Sequence, residues 1–206
     1  MQNRVYVLLN SPNVPSVEGD VICADAGIKF ADGKKQKIVA VLGDFDSFDG
    51  RCEFETVRFP SHKNMSDGVI CADYAAEKGY GEIVFCGVTG GRFDHQLSNL
   101  SLLKYARQKG VKAFGYDVED GKALYIYFAD GPIAFDVKAG DIVSVMPFDS
   151  VTVDGADNLE YPLDNLTITS SDLSRGLSNI AVADGKASFN IVKGEAFILR
   201  YTALVN

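Results

Sequence analysis

Apolar residues along this 206-residue chain fall into two different rhythms. In the first part, short β-branched runs at 5–9, 21–24, 38–42 and 83–86 show little alternation, as expected of strands covered on both faces. Between them, residues 66–78 place Val69, Ile70, Asp73, Tyr74 and Glu77 at helical spacing, opened by Ser66 and closed by Gly79. Residues 94–109 repeat that design. Leu97, Leu100, Ser101 and Lys104 lie along one side, Leu103 and Tyr105 adjoin them, and Gly110 ends the run. This alternation predicts a parallel sheet with helices packed on its faces.

After Lys122 the rhythm changes. Short strand-like runs at 123–128, 133–137, 142–146, 151–153, 166–169, 180–182, 187–191 and 196–201 are separated by turn-forming pairs such as Asp-Gly, Ala-Gly and Lys-Gly. No helical stretch is predicted among them. The fold class read from the pattern is therefore α/β: an N-terminal parallel-sheet domain over 1–121 with helices on its faces, then an all-β sandwich or jelly-roll over 122–206. The polar, Gly-containing stretch 117–122 reads as the linker.

Composition narrows the partners. With 47% hydrophobic residues the chain can bury a real core, and its formal charge of −8 argues against a nucleic-acid surface. Residues 1–121 carry 17 acids against 14 bases and residues 122–206 carry 11 against 6, so neither half is basic. Cys23, Cys52, Cys71 and Cys86 never form C-x-x-C, and they read as packed, reduced thiols. No signal-peptide profile or membrane-length apolar run is evident, so the expected compartment is the cytoplasm.

Three segments carry candidate chemistry. The run Val39-Ala-Val-Leu-Gly-Asp-Phe-Asp-Ser47 ends a buried strand in two carboxylates, Asp44 and Asp46, at i and i+2. In an extended segment both point the same way, which is unfavourable unless a cation neutralises them. Hard oxygen ligands at such an edge suit Mg²⁺; an isolated acidic pair is as often only a solvated turn. Lys63-Asn-Met-Ser-Asp67 opens the first helix. Ser66 or Asp67 can serve as its N-cap, or Asp67 can face a metal with Lys63 on a phosphate. Gly87-Val-Thr-Gly-Gly-Arg-Phe-Asp-His95 follows a strand and opens the second helix, where a nucleotide crevice forms in an open parallel sheet. Gly90 and Gly91 would let backbone approach phosphate, and Arg92 can bind it in a bidentate manner. Asp94 can cap the helix or reach the metal. His95 is either a helix-start residue satisfied locally or a nucleotide contact, and His62 reads as a surface residue. Neither G-x-x-x-x-G-K-[ST] nor G-x-G-x-x-G occurs.

In this order, and with an all-β tail, the segments resemble the thiamine pyrophosphokinase (thiamin diphosphokinase) family over essentially the whole chain. Ala24-Asp25-Ala26-Gly27 is similar to the family's Ala-Asp-Gly-Gly, residues 43–47 to its Gly-Asp-Phe-Asp-Ser, and Lys63 with Ser66-Asp67 to its Lys-x-x-Thr-Asp. Gly90-Gly91-Arg92, Asp94-His95 and Asn99 resemble its Gly-Gly-Arg-x-Asp-His block, and Gly176-Leu-Ser178-Asn179 its C-terminal Gly-x-Ser-Asn loop. The resemblance implies a Mg²⁺-dependent homodimer with active sites at the subunit interface. It places ATP near Asp25, Lys63, Gly90, Gly91, Arg92, Asp94 and His95, and thiamine near Asn99, Ser178 and Asn179. It also gives the metal and the chemistry to Asp44, Asp46 and Asp67. Two departures stand out: Ala26 replaces a glycine with Ile28-Lys29 following, and Ser66 replaces threonine.

An acidic pair after a strand is also compatible with a haloacid-dehalogenase-like phosphatase, whose first Asp would form an aspartyl-phosphate. It is compatible too with a sugar-nucleotide transferase. A non-catalytic thiamine- or nucleotide-binding module would bind without turnover.

Overall fold

A computed structural model describes residues 3–43, 54–58 and 65–204, and divides the chain into two compact units, Met1–Val118 and Glu119–Asn206. In the first unit, β1 (Arg4–Leu8), β2 (Gly19–Ala24), β3 (Gln36–Gly43), β4 (Thr56–Arg58), β5 (Glu82–Cys86) and β6 (Lys112–Glu119) lie in the order β6-β5-β1-β2-β3-β4. Every pairing along that path is parallel. The apolar runs become the inner strands because both faces are covered: Val5, Val7, Leu8, Val21, Ile22, Ile83, Val84 and Phe85 are wholly buried.

Two helices return the chain between strands. In α1 (Asp67–Glu77), Ile70, Cys71, Ala72 and Ala75 are buried, and the helix packs on β1, β2, β3 and on α2 (Phe93–Gln108). Ser66 occupies the N-cap position of α1 but makes no side-chain capping bond. In α2 the buried positions are Leu102, Leu103 and Ala106, not the predicted stripe through Leu97 and Leu100. Leu97 is exposed, because contact with α1 is centred where Gly68 lets Leu102 approach closely. Cys23, Cys71 and Cys86 are buried and form no disulfide among the described residues, and burial pushes the Cys86 thiol well up. Cys52 and His62 lie outside the described residues.

In the second unit, β7 (Lys122–Ala129), β8 (Ile133–Val137), β9 (Ile142–Asp157), β10 (Leu166–Thr169), β11 (Asn179–Ile180) and β12 (Gly185–Ala203) pair only antiparallel. The runs 142–146 and 151–153 are one continuous strand, as are 187–191 and 196–201. Register shifts between β9 and β12 at residues 189–196 bend the ladder without ending it, which is why turn-like residues there mark bulges instead of loops. A short 3-10 turn at Ser174–Gly176 interrupts what the sequence predicts as purely strand and loop. The core gathers Phe135, Val143, Val153, Ile168, Phe189 and Ile198, with Tyr127 stacked on Phe135 at 5.0 Å. The division between the units, after Val118, falls within the predicted boundary stretch 117–122, but most of that stretch is strand. Asp117 is part of β6 and fully buried.

Candidate active site

Because the strands of the first unit are parallel, the loops leaving their carboxyl ends share one edge of its sheet. The order reverses about β1: β2, β3 and β4 extend to one side, β5 and β6 to the other. The loops after β1 and β5 therefore flank the switch point, where open α/β sheets hold ligands. Those two loops are bonded together. Ser11 Oγ donates to the Thr89 carbonyl, Asn13 Nδ2 donates to Thr89 Oγ1 at 2.9 Å, and the Asn13 N–H donates to Ser11 Oγ at 3.1 Å.

Loop 87–92 is built on backbone that favours glycine, with φ of 86° at Gly87, 83° at Gly90 and 73° at Gly91. At Gly90 a side chain is excluded as well, since a Cβ would stand 2.7 Å from Ser11 Oγ and 3.0 Å from Asn13 Cγ. Beneath the loop lies Asp117, which the sequence reading missed. Its Oδ1 accepts the N–H groups of Gly87 (2.6 Å) and Val88 (3.1 Å). Its Oδ2 accepts the Thr89 N–H (2.6 Å) and Oγ1–H (2.7 Å). Burial pushes the Asp117 carboxyl above its ordinary value, against the downward pull of those Thr89, Gly87 and Val88 donors. The available signal was a carboxylate enclosed by Tyr116 and Val118 in a strand-like run.

From α2, Gln96 Nε2 donates to the Gly91 carbonyl at 3.2 Å and Asn99 Nδ2 to the Val88 carbonyl at 3.3 Å. Asn99 thus braces the glycine loop. Arg92 and Asp94 form an exposed two-point pair, Nε–Oδ1 3.1 Å and Nη2–Oδ2 2.5 Å. The Arg92 guanidinium holds the Asp94 carboxyl below its usual range. Asp94 sits in the first turn of α2, where its Oδ1 also accepts the His95 N–H at 3.0 Å; His95 itself is exposed. The structure therefore brings Gly90, Gly91, Arg92, Asp94, His95 and Asn99 together around one loop and helix start.

Asp25 leaves β2 with φ 45°, a left-handed conformation rare for a non-glycine residue, and opens a 3-10 turn over Asp25–Phe30. Its Oδ1 is buried, and a Cβ on Gly43 would lie 3.1 Å from it. The last described residue of β3 thus rests against Asp25 where the acidic run begins. Ala26 is buried, while a Cβ at Gly27 would collide with the Leu8 carbonyl. Of positions 26 and 27, the one that carries glycine is the one where the backbone admits no side chain. Asp67 lies half-buried in the first turn of α1. Asp44, Asp46 and Lys63 lie outside the described residues, and among the described residues no three His, Cys, Asp or Glu form a metal-sized group.

In the second unit Ser178 is also left-handed (φ 58°), and its N–H donates to Ser144 Oγ at 3.0 Å. Asn179 is buried, and its amide makes three bonds. Its Oδ1 accepts the N–H groups of Tyr161 and Ile180, both at 2.9 Å, and its Nδ2 donates to the Tyr161 carbonyl at 2.7 Å. Tyr161, Leu163, Asp164, Leu166, Arg175 and Leu177 line an adjoining cavity of about 380 Å³.

An open parallel sheet whose polar loops gather at the switch point defines an α/β protein of the ligand-crevice class. Comparison with known proteins specifies it further. Residues 18–114 match the family model of the thiamin pyrophosphokinase catalytic domain. A thiamine pyrophosphokinase of Bacillus subtilis (strain 168) is 27% identical over 199 residues, covering 90% of this chain and 85% of the relative. The fold is shared with the crystal structure of thiamine pyrophosphokinase from Bacillus subtilis (TM-score 0.78, 23% identity, covering 98% of this chain and 100% of that one). It is shared also with thiamin pyrophosphokinase from Candida albicans (TM-score 0.72, 12% identity, covering 96% and 88%). The chain is thus similar to thiamine pyrophosphokinases in its family-model match over residues 18–114 and along 90% of its length.

Proposed function

We propose that this protein is a Mg²⁺-dependent enzyme that transfers the pyrophosphoryl group of ATP to the thiamine hydroxyl, giving thiamine diphosphate and AMP. One observation carries the reading. The catalytic-domain match over residues 18–114 spans Asp25, Asp44, Asp46, Lys63, Asp67, the 90–95 block and Asn99. It favours this activity over a phosphatase, a sugar-nucleotide transferase or a binding module.

In this reading ATP lies along the carboxyl edge, with Gly90, Gly91 and Arg92 on its phosphates and Asp25, Lys63, Asp94 and His95 around it. Asp44, Asp46 and Asp67 would hold Mg²⁺; their hard oxygens, following a buried strand and a helix start, are the donor set that ion takes. When bound, the metal neutralises charge on the triphosphate. Positioning and electrostatics carry most of such catalysis. The thiamine hydroxyl oxygen attacks the β-phosphorus, the bond to the α–β bridging oxygen breaks, and the hydroxyl proton passes to Asp46 or Asp67.

We read the antiparallel unit as a sandwich-type domain that holds thiamine, and the enzyme as a cytoplasmic homodimer with this domain of one subunit completing the site of the other. The left-handed Ser178, beside the cavity, supports a ligand-facing role for that residue. Asn99 and Asn179 would act beside thiamine through the backbone they brace.

Identification of the nucleotide product from protein, ATP, Mg²⁺ and thiamine tests the proposal. AMP formed only with thiamine supports it; ADP, or phosphate released without thiamine, rejects it. Asp44→Asn and Asp46→Asn should each lower turnover at least a hundredfold in a folded protein, and full activity in either would remove the metal assignment.

A further inference from the structure

The backbone N–H groups of Gly87, Val88 and Thr89 converge as an anion-binding concavity does, yet the anion they hold is the protein's own. We propose that Asp117 is a positioning residue: its carboxylate fills the first half of the glycine loop, so that substrate phosphate meets only the second half, from Gly90 to Arg92. This assignment rests on the ATP reading given above.

Three observations support it. First, Asp117 is wholly buried and accepts four bonds of 2.6–3.1 Å from one three-residue stretch, all from neutral donors. A buried carboxylate is costly unless its oxygens are satisfied in this way, so the loop and the carboxylate fix each other. Second, the other side of the same stretch is also engaged. Ser11 takes the Thr89 carbonyl, Asn13 takes Thr89 Oγ1, and Asn99 takes the Val88 carbonyl. Residues 87–89 are thus bonded from β6, from the loop after β1 and from α2, and present no amide to a ligand. Third, the lock ends at Thr89. Gly90 and Gly91 follow with positive φ, and the only bond described on them is the Gln96 amide on the Gly91 carbonyl. Loop 87–92 is therefore a fixed base carrying a two-glycine tip.

Replacement of the carboxylate by an amide separates positioning from bulk stability. Asp117→Asn keeps the shape but turns an N–H₂ toward donors. We expect hydrogen exchange at amides 87–89 to quicken at least tenfold without ligand, while β1 amides stay unchanged. Per folded molecule, KM for ATP should rise at least tenfold, with KM for thiamine within twofold of wild type. A purely structural role would lower the folded fraction and leave KM for ATP unmoved, and that result overturns the proposal. Should Asp117→Asn not fold, Thr89→Val and Thr89→Ser decide the matter. Valine loses the hydroxyl bond and should raise KM for ATP about threefold, serine should restore it, and equal values for the two reject the assignment. ATP that fails to slow exchange at residues 90–92 in the wild-type protein would defeat the nucleotide reading instead, and the ligand-free exchange at 87–89 would still judge Asp117.

Discussion

Asp117 in the first unit and Asp141 in the second are both buried aspartates, satisfied in opposite ways. Asp117 takes only neutral donors, all from one loop. Asp141 takes the Arg200 guanidinium at 2.7 Å and the Lys138 N–H at 2.9 Å, with Arg200 also lying 5.0 Å from the Tyr125 ring. Arg200 belongs to β12, and Asp141 directly precedes β9. The ion pair therefore ties the end of one long strand to the start of another, whereas Asp117 ties down a loop that must keep a shape. Equal burial serves shape in one unit and strand pairing in the other, and the donors decide which.

That contrast breaks most severely at Arg200. Arg200→Ala leaves Asp141 buried without its cation and should cost about 3–5 kcal/mol of the second unit's stability. Urea unfolding followed by Tyr fluorescence measures it, and a variant as stable as wild type would void the contrast. Asn179→Ala comes next. Losing its bonds to the Tyr161 and Ile180 backbone should cost about 1–3 kcal/mol, visible as a lower melting temperature. The smallest effect is at Asp184, whose carboxyl is held below its ordinary value by the Ala139 N–H and then by Lys138. A lowered carboxyl contributes stability at neutral pH that fades as pH falls through the folded value. Asp184→Asn should therefore melt slightly earlier at pH 7 and show a shallower loss of melting temperature toward acid, whereas identical pH profiles would remove the charge from the account.

The sequence made the buried strands and the two helices legible because β-branched runs and capping punctuation are local signals. It did not show β4, three residues long, or β6, whose Phe114-Gly115-Tyr116-Asp117 mixes ring, glycine and charge. The buried stripe of α2 escaped as well, since Leu102 is buried by Gly68 on another helix, 34 positions earlier in the chain. Of the site, the glycine loop and its Arg92-Asp94 continuation were readable from residue type and spacing. The bracing beneath them, from Ser11, Asn13 and Asp117, was not. Those bonds join residues 28 to 78 positions apart, and no periodicity reports them.

The central place of β1 has a consequence for how the chain is made. One flank of β1 can pair as soon as β2 has been synthesised, with Tyr6 opposite Val21. The other flank pairs Arg4 with Glu82, and so stays open until the ribosome has released most of the first unit. During that interval an apolar strand carries unpaired backbone groups, the condition under which neighbouring nascent chains stick together. Arg4, which bonds Glu82 once it arrives, keeps a charge at the start of that waiting edge.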